Sequence, residues 1–184
     1  IDDLYLLRFS AMCKPAGEVA NLTQLESQTT RGRTLIMWRV AAGHLTWGPR
    51  EVELMYQSTL DSISEAFDVF HYPISRYMLD ARAEIFEAGL APEVVQNAGF
   101  TGIKEPPPQK IEGKTLLLAS EVSQCGDPSF LEKYKVILDQ TGLQATVWAV
   151  PGGALAYSLG ARELARQQAE QVAAVIRNGE VKQV

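Results

Sequence analysis

Apolar residues in the first half of the chain recur at intervals of three and four. Val52, Tyr56, Thr59, Ile63 and Phe67 mark one face of a helix of about four turns. A second helix is predicted after Tyr72-Pro73, with Met78, Ala81, Ile85 and Ala88 on one stripe and Gly89 as its stop. Thr34 to Ala42 reads as a shorter helix ended by Gly43, and a further one starts at Pro92, a favoured first-turn residue.

The period changes after Lys104-Glu105-Pro106-Pro107-Pro108, because consecutive prolines enter neither a helix nor a central strand. Leu116-Leu117-Leu118-Ala119 is a continuous apolar run, as in a strand covered on both faces. Asp127-Pro128 begins a helix carrying Phe130, Tyr134, Ile137 and Leu138 on one face and stopping at Gly142. Thr146 to Val150 is the next strand. Ala165, Ala169, Val172 and Ile176 mark a helix ended by Gly179, and Val181 onward reads as a third strand. The expected fold is α+β overall: an all-helical domain over 1–104, then a parallel βαβα domain over 109–184. The chain begins at Ile1 without methionine and stops in an apparent strand, which reads as a piece of a longer protein.

Composition narrows the function classes. With 46% hydrophobic and 21% charged residues among 184, the chain has material for a sizeable core. A net charge of -5 argues against nucleic acid as the main partner. No apolar run approaches the ~20 residues of a membrane span. Two cysteines, Cys13 and Cys125, are too few for a disulfide framework, so a reducing, cytoplasmic setting is expected.

Two segments share a spacing. Leu7, Ser10, Cys13 and Gly17 stand three, three and four residues apart, and Ser58, Asp61, Ser64 and Asp68 repeat those intervals. The C-x2-C-x2-C-x3-C run of two-cluster ferredoxins has the same intervals, and its fourth cysteine holds the other cluster. The flanks strengthen the match: Met12-Cys13-Lys14-Pro15, Glu26-Ser27 with Arg31-Gly32-Arg33, Leu54-Met55-Tyr56-Gln57, Ala81-Arg82-Ala83-Glu84-Ile85, and Ala88 to Pro92. Val150-Pro151-Gly152-Gly153 through Tyr157 and Gly160 is similar to the C-C-G-x-x-x-x-Y-x-x-G run of a cysteine-rich domain, with Val150 and Pro151 in place of the paired cysteines. The whole chain therefore resembles the iron–sulfur subunits of heterodisulfide reductase and glycolate oxidase type. The resemblance implies a helical ferredoxin-like domain followed by a cysteine-rich domain, in a subunit that relays electrons through [4Fe–4S] clusters.

The cysteines that carry that activity are largely gone. Leu7 cannot ligate iron and Gly17 has no side chain, so the first set offers one thiolate, at Cys13. The second set is all oxygen, and its bland reading is a solvated helix face rather than a calcium or magnesium site. Volume left by a lost cluster is expected to be filled, with Leu7, Phe9, Met12, Phe67 and Phe70 as candidates.

Other chemistry is weakly signalled. His71 beside Tyr72-Pro73 reads as a turn residue, and His44 has no carboxylate partner at a convincing spacing. Cys125 precedes a helix start, where a thiol can be activated, but a packed or merely exposed thiol is the simpler reading. Gly152-Gly153 lacks the P-loop and dinucleotide patterns, and neither Ser10 nor Ser158 has a G-x-S-x-G context. Arg31 and Arg33 read as a salt-bridged corner or an anion site, and the corner is expected, holding the two helical segments together or docking a partner; Arg82 is a further docking candidate. The expected role is a docking subunit of a redox complex, not catalytic alone and carrying no cofactor of its own. Its partners would be flavoprotein or iron–sulfur subunits, and it would meet a membrane only through one of them. The alternatives are a [4Fe–4S] subunit completed by partner ligands or by a missing C-terminal part, and a small-molecule-binding α/β domain with its site near Glu121 and Gly152.

Overall fold

The computed structural model describes residues 2–9, 17–60, 62–68, 70–98, 108, 111, 115–119 and 129–178. Backbone proximity divides the chain into two units, Ile1–Gln96 and Asn97–Val184. The architecture is mostly helical with one small parallel sheet, an α+β fold. Among the described residues no helix is long and apolar enough to cross a membrane.

The first unit is built from α1 (Asp2–Leu7), α2 (Glu18–Thr23), a 3-10 turn (Glu26–Gln28), α3 (Thr30–Ala41), α4 (Pro49–Tyr56), α5 (Ile63–Phe67) and α6 (Ile74–Glu87). α7 (Glu93–Ala98) follows the Pro92 start. α1 packs on α3, and α6 packs on α4 and α5. The core draws Leu7 from α1, Met37 from α3, Val52 and Met55 from α4, and Met78 and Ile85 from α6. α3 begins four residues ahead of the Thr34 start that its apolar pattern suggests. Thr29 explains the difference, since its hydroxyl accepts from the Gly32 amide at 3.0 Å and caps the helix. A Cβ on Gly32 would overlap the Glu26 carbonyl, which is why a glycine separates Arg31 from Arg33.

The four-turn helix expected from Val52 to Phe67 does not form. The chain leaves helical geometry after Tyr56, and Leu60 and Ser62 take left-handed backbone at φ 55° and 56° before α5 begins. Two arginines account for the break. Arg33 Nε donates to the Leu54 carbonyl at 2.9 Å, and Arg82 donates to the carbonyls of Met55 and Ser58. Carbonyl oxygens at a helix end need partners, and here guanidinium groups supply them.

The second unit holds β1 (Leu116–Ala119), α8 (Phe130–Thr141), β2 (Thr146–Ala149), α9 (Ala154–Ser158) and α10 (Arg162–Asn178). The strands are parallel, with Leu116 opposite Thr146 and Ala119 opposite Ala149. Leu116, Trp148 and Val150 form a small core with Val172 of α10. The buried stripe of α10 runs through Ala165, Gln168 and Val172, whereas Ala169, expected on it, is exposed. α8 departs further from expectation: none of its residues is buried, and Ile137 is 53% exposed. Among the described residues the sheet has two strands, and α8 covers no apolar face of it comparable to the one α10 covers. The expected Asp127-Pro128 start, the Gly179 stop and the strand at Val181 lie outside the described residues.

Candidate functional site

The two equally spaced segments meet at a small cavity of about 30 Å³ in the first unit. Gly17, the last position of the first set, forms part of its wall, together with Ser58 and Ser64 of the second. The intervening Asp61, like Ser10 and Cys13, lies outside the described residues. Three positions of one run with the fourth of the other is the exchange by which two-cluster ferredoxins build each site.

The wall is mainly hydroxyl-bearing. Thr30 and Ser64, both buried, stand 2.5 Å apart through their oxygens, which joins the start of α3 to α5. Ser62 and Ser75, 3.3 Å apart, add further oxygens, and the Ser75 amide donates to Glu65 at 2.6 Å. Arg33 lines the same space at 5% exposure. Strained left-handed residues concentrate here, since Leu60 and Ser62 both belong to the lining.

The second set is not a solvated helix face. Ser64 and Asp68 are buried, at 8% and 2% exposure, because the broken helix turns them inward. Asp68 caps the turn after α5, its Oδ2 accepting from the amides of Phe70 and Tyr72 at 3.2 and 3.1 Å. His71 sits in that turn with φ 52°. Leu7 is fully buried and suits the filling role, but Phe9, Phe67 and Phe70 are exposed and fill nothing. Met12 lies outside the described residues. In the second unit Val150 and Pro151 are both buried, and Val150 belongs to the core.

The three arginines divide. Arg33 and Arg82 are buried and braced against main-chain carbonyls, so neither presents a docking surface in this fold. Burial pulls Arg82 below the usual arginine range, opposed by the Tyr56 hydroxyl beside it, and burial raises that tyrosine. Arg31 remains accessible and pairs with Glu26 at 2.5 Å, a contact that adds little stability at the surface.

A surface patch escaped the sequence reading. The Arg8 guanidinium lies 3.9 Å from the Tyr5 ring centre, 4.3 Å from Phe9 and 5.0 Å from Trp38. Tyr5 meets Trp38 edge to face, and His44 flanks Trp38. Tyr5 and Phe9 are exposed, as is neighbouring Leu6. Helical spacing from Tyr5 to Phe9 was the signal for it, since residues four apart share a face.

Among the described residues, no group of three or more His, Cys, Asp or Glu side chains is arranged to hold a metal ion. Comparison with family models, curated proteins and solved structures returned no match.

Proposed function

We propose that this chain is a docking subunit of a multi-subunit redox complex, related to the iron–sulfur subunits of heterodisulfide reductase and glycolate oxidase type but carrying no cluster of its own. The observation that carries the reading is the shared cavity. Gly17 is 41 residues from Ser58 in sequence, yet both line one space together with Ser64, as in a two-cluster ferredoxin arrangement. Kinship explains why positions with the spacing of cluster ligands converge there.

The same residues suit a cluster poorly. Ser58 and Ser64 offer hydroxyl oxygen, and Gly17 offers no side chain, where iron in a [4Fe–4S] cube takes thiolate. The cavity, at about 30 Å³, holds about two water-sized spheres. In the second unit, Val150 and Pro151 are packing residues where paired cysteines would stand. Electron relay would belong to flavin- or iron–sulfur-bearing partners. The Tyr5, Arg8, Phe9 and Trp38 patch has the aromatic and arginine composition that dominates binding energy at interfaces, which supports a docking role. The chain would act in the cytoplasm, reaching a membrane only through its partners.

Affinity purification from the native host, with mass spectrometry of the retained proteins and iron and sulfide assays on the isolated chain, tests the proposal. Retention of a redox subunit, lost on Trp38→Ala or Arg8→Ala while the fold persists, is the expected result. Stoichiometric iron and labile sulfide in the isolated chain would sink it, as would a monomer that retains no redox protein.

A further inference from the structure

We infer that the patch of Tyr5, Arg8, Phe9 and Trp38 recognises an acidic segment of a partner protein. An Asp or Glu carboxylate of that segment takes the Arg8 guanidinium, and an apolar side chain beside it covers Phe9. The inference rests on the docking role proposed above and names the chemistry of what docks.

Arg8 sets that chemistry. Its Nε donates to the Tyr5 carbonyl at 3.1 Å, and its guanidinium carbon lies within 5.0 Å of the Tyr5, Phe9 and Trp38 ring centres. The backbone bond uses one of five N–H donors, and rings attract a cation without accepting its in-plane N–H groups as a carboxylate does. Among the described residues no carboxylate pairs with Arg8. Asp3 accepts from Tyr77, and Asp2 stands nearly two turns away on α1. α3, on which α1 packs, carries no acidic residue and adds exposed Arg39 next to Trp38. The local charge is therefore positive on a chain whose net charge is -5.

A tethered, stacked guanidinium is oriented before a ligand arrives, and its remaining donors match the two oxygens of a carboxylate. An ion pair in open water adds little, but Phe9 is 63% exposed and Leu6 44%, so a partner's apolar residue can cover them and exclude water from the pair. A bilayer would present its negative charge to the whole face of the chain, where the net -5 opposes it. A single carboxylate meets only the nearby field, because screening confines charge effects to about 10 Å. The balance favours a protein segment as the occupant.

Selection from a library of random displayed peptides on the intact chain tests the inference. Selected peptides should carry Asp or Glu next to an aromatic residue or Leu. A synthetic copy of the strongest should bind about tenfold more weakly, or worse, once its carboxylate becomes an amide. Arg8→Lys, which keeps the charge and loses the fork, should weaken it several-fold, as should Phe9→Ser. Arg8→Met should abolish binding, and if that variant does not fold, the amide peptide decides alone. Selected peptides without a carboxylate, no selected peptide, equal binding of acid and amide forms, or adsorption to phosphatidylserine vesicles in place of peptide would each overturn the site. A redox subunit retained by wild type and Arg8→Met alike, but lost on Trp38→Ala, would overturn carboxylate recognition and keep the docking role. Peptide binding as expected, with no redox protein retained from the host, would support this site and overturn the redox docking role instead.

Discussion

Arg82, on α6, donates from Nη2 to the carbonyl oxygen of Ser58 at 2.6 Å, and both Nε and Nη2 reach the Met55 carbonyl at 3.1 and 3.0 Å. One side chain thus closes the end of α4 and fixes where the following loop turns. Replacement by methionine keeps the apolar stem and leaves buried carbonyls without donors. Arg82→Met should lower stability by about 2–4 kcal/mol, read as a fall in the urea midpoint with unchanged slope. Arg31→Met, at the exposed Glu26 pair, should cost less than about 0.5 kcal/mol. Equal losses at the two positions would refute the internal clamp.

That clamp also shows what the sequence pattern omits. Val52, Tyr56, Thr59, Ile63 and Phe67 keep helical spacing, but spacing carries no information about an arginine twenty or more residues away that takes the helix's last carbonyls. The apolar stripe of α6 was legible through Met78, Ala81 and Ile85, whereas Arg82, buried next to them, read as surface. Stops were easier: Gly43, Gly89 and Gly142 all adopt positive φ at helix ends, because glycine takes that backbone without a Cβ penalty. The strands were visible as short apolar runs. The burial of Ser64 and Asp68 was not, since it follows from the broken helix and not from residue type. Thr30 and Ser75, which complete the cavity wall, carried no motif.

Tyr77 and Asp3 link α6 to α1 through a 2.7 Å hydrogen bond from the phenol to Oδ2. Burial first, and then the Asp3 bond and its negative charge, push the Tyr77 phenol up to about 12 from its ordinary 10.0. The folded state therefore holds the phenol proton more tightly than the unfolded state. This contribution is fully present below pH 10 and declines as pH rises through about 12. Chemical denaturation across that window should show wild-type stability falling more steeply than in Asp3→Asn or Tyr77→Phe. Parallel slopes would mean that the link is absent in solution.

Gly153 has φ 88°, and a Cβ there would lie 2.6 Å from the Ala165 carbonyl oxygen of α10. Strain and overlap act together, so Gly153→Ala should destabilise the second unit by about 1–3 kcal/mol. Adjacent Gly152 has nothing within 4 Å of the added carbon, and Gly152→Ala should be tolerated. Amide exchange of Ala165 and Val172 would report the difference, with faster exchange in the Gly153 variant only. Similar exchange in both variants would show that α10 does not approach this turn closely.

The strongest test of the shared cavity is to give it thiolates. Gly17 has φ -74° and ψ 103°, a backbone that any residue adopts, so cysteine there meets no conformational barrier. Gly17→Cys combined with Ser58→Cys, Asp61→Cys and Ser64→Cys supplies the four ligands that a [4Fe–4S] cluster takes. The substitutions at Ser58 and Ser64 replace hydroxyl by thiol on walls that already face one space. Ser64→Cys also removes the hydroxyl bond to Thr30 that holds α5 against the start of α3, so the walls of the small cavity can part around a cube. Anaerobic reconstitution with iron and sulfide should give the quadruple variant stoichiometric iron and broad visible absorbance, while the wild type gives neither. The variant lacking only the change at Gly17 provides the decisive control, because it separates a three-ligand loop from a site that needs both segments. If the triple and quadruple variants bind iron equally, Gly17 is not the fourth corner, and the convergence of the two runs is not inherited from a two-cluster fold. If only the quadruple variant holds a stable cluster, the two segments converge on one site as the proposed kinship requires.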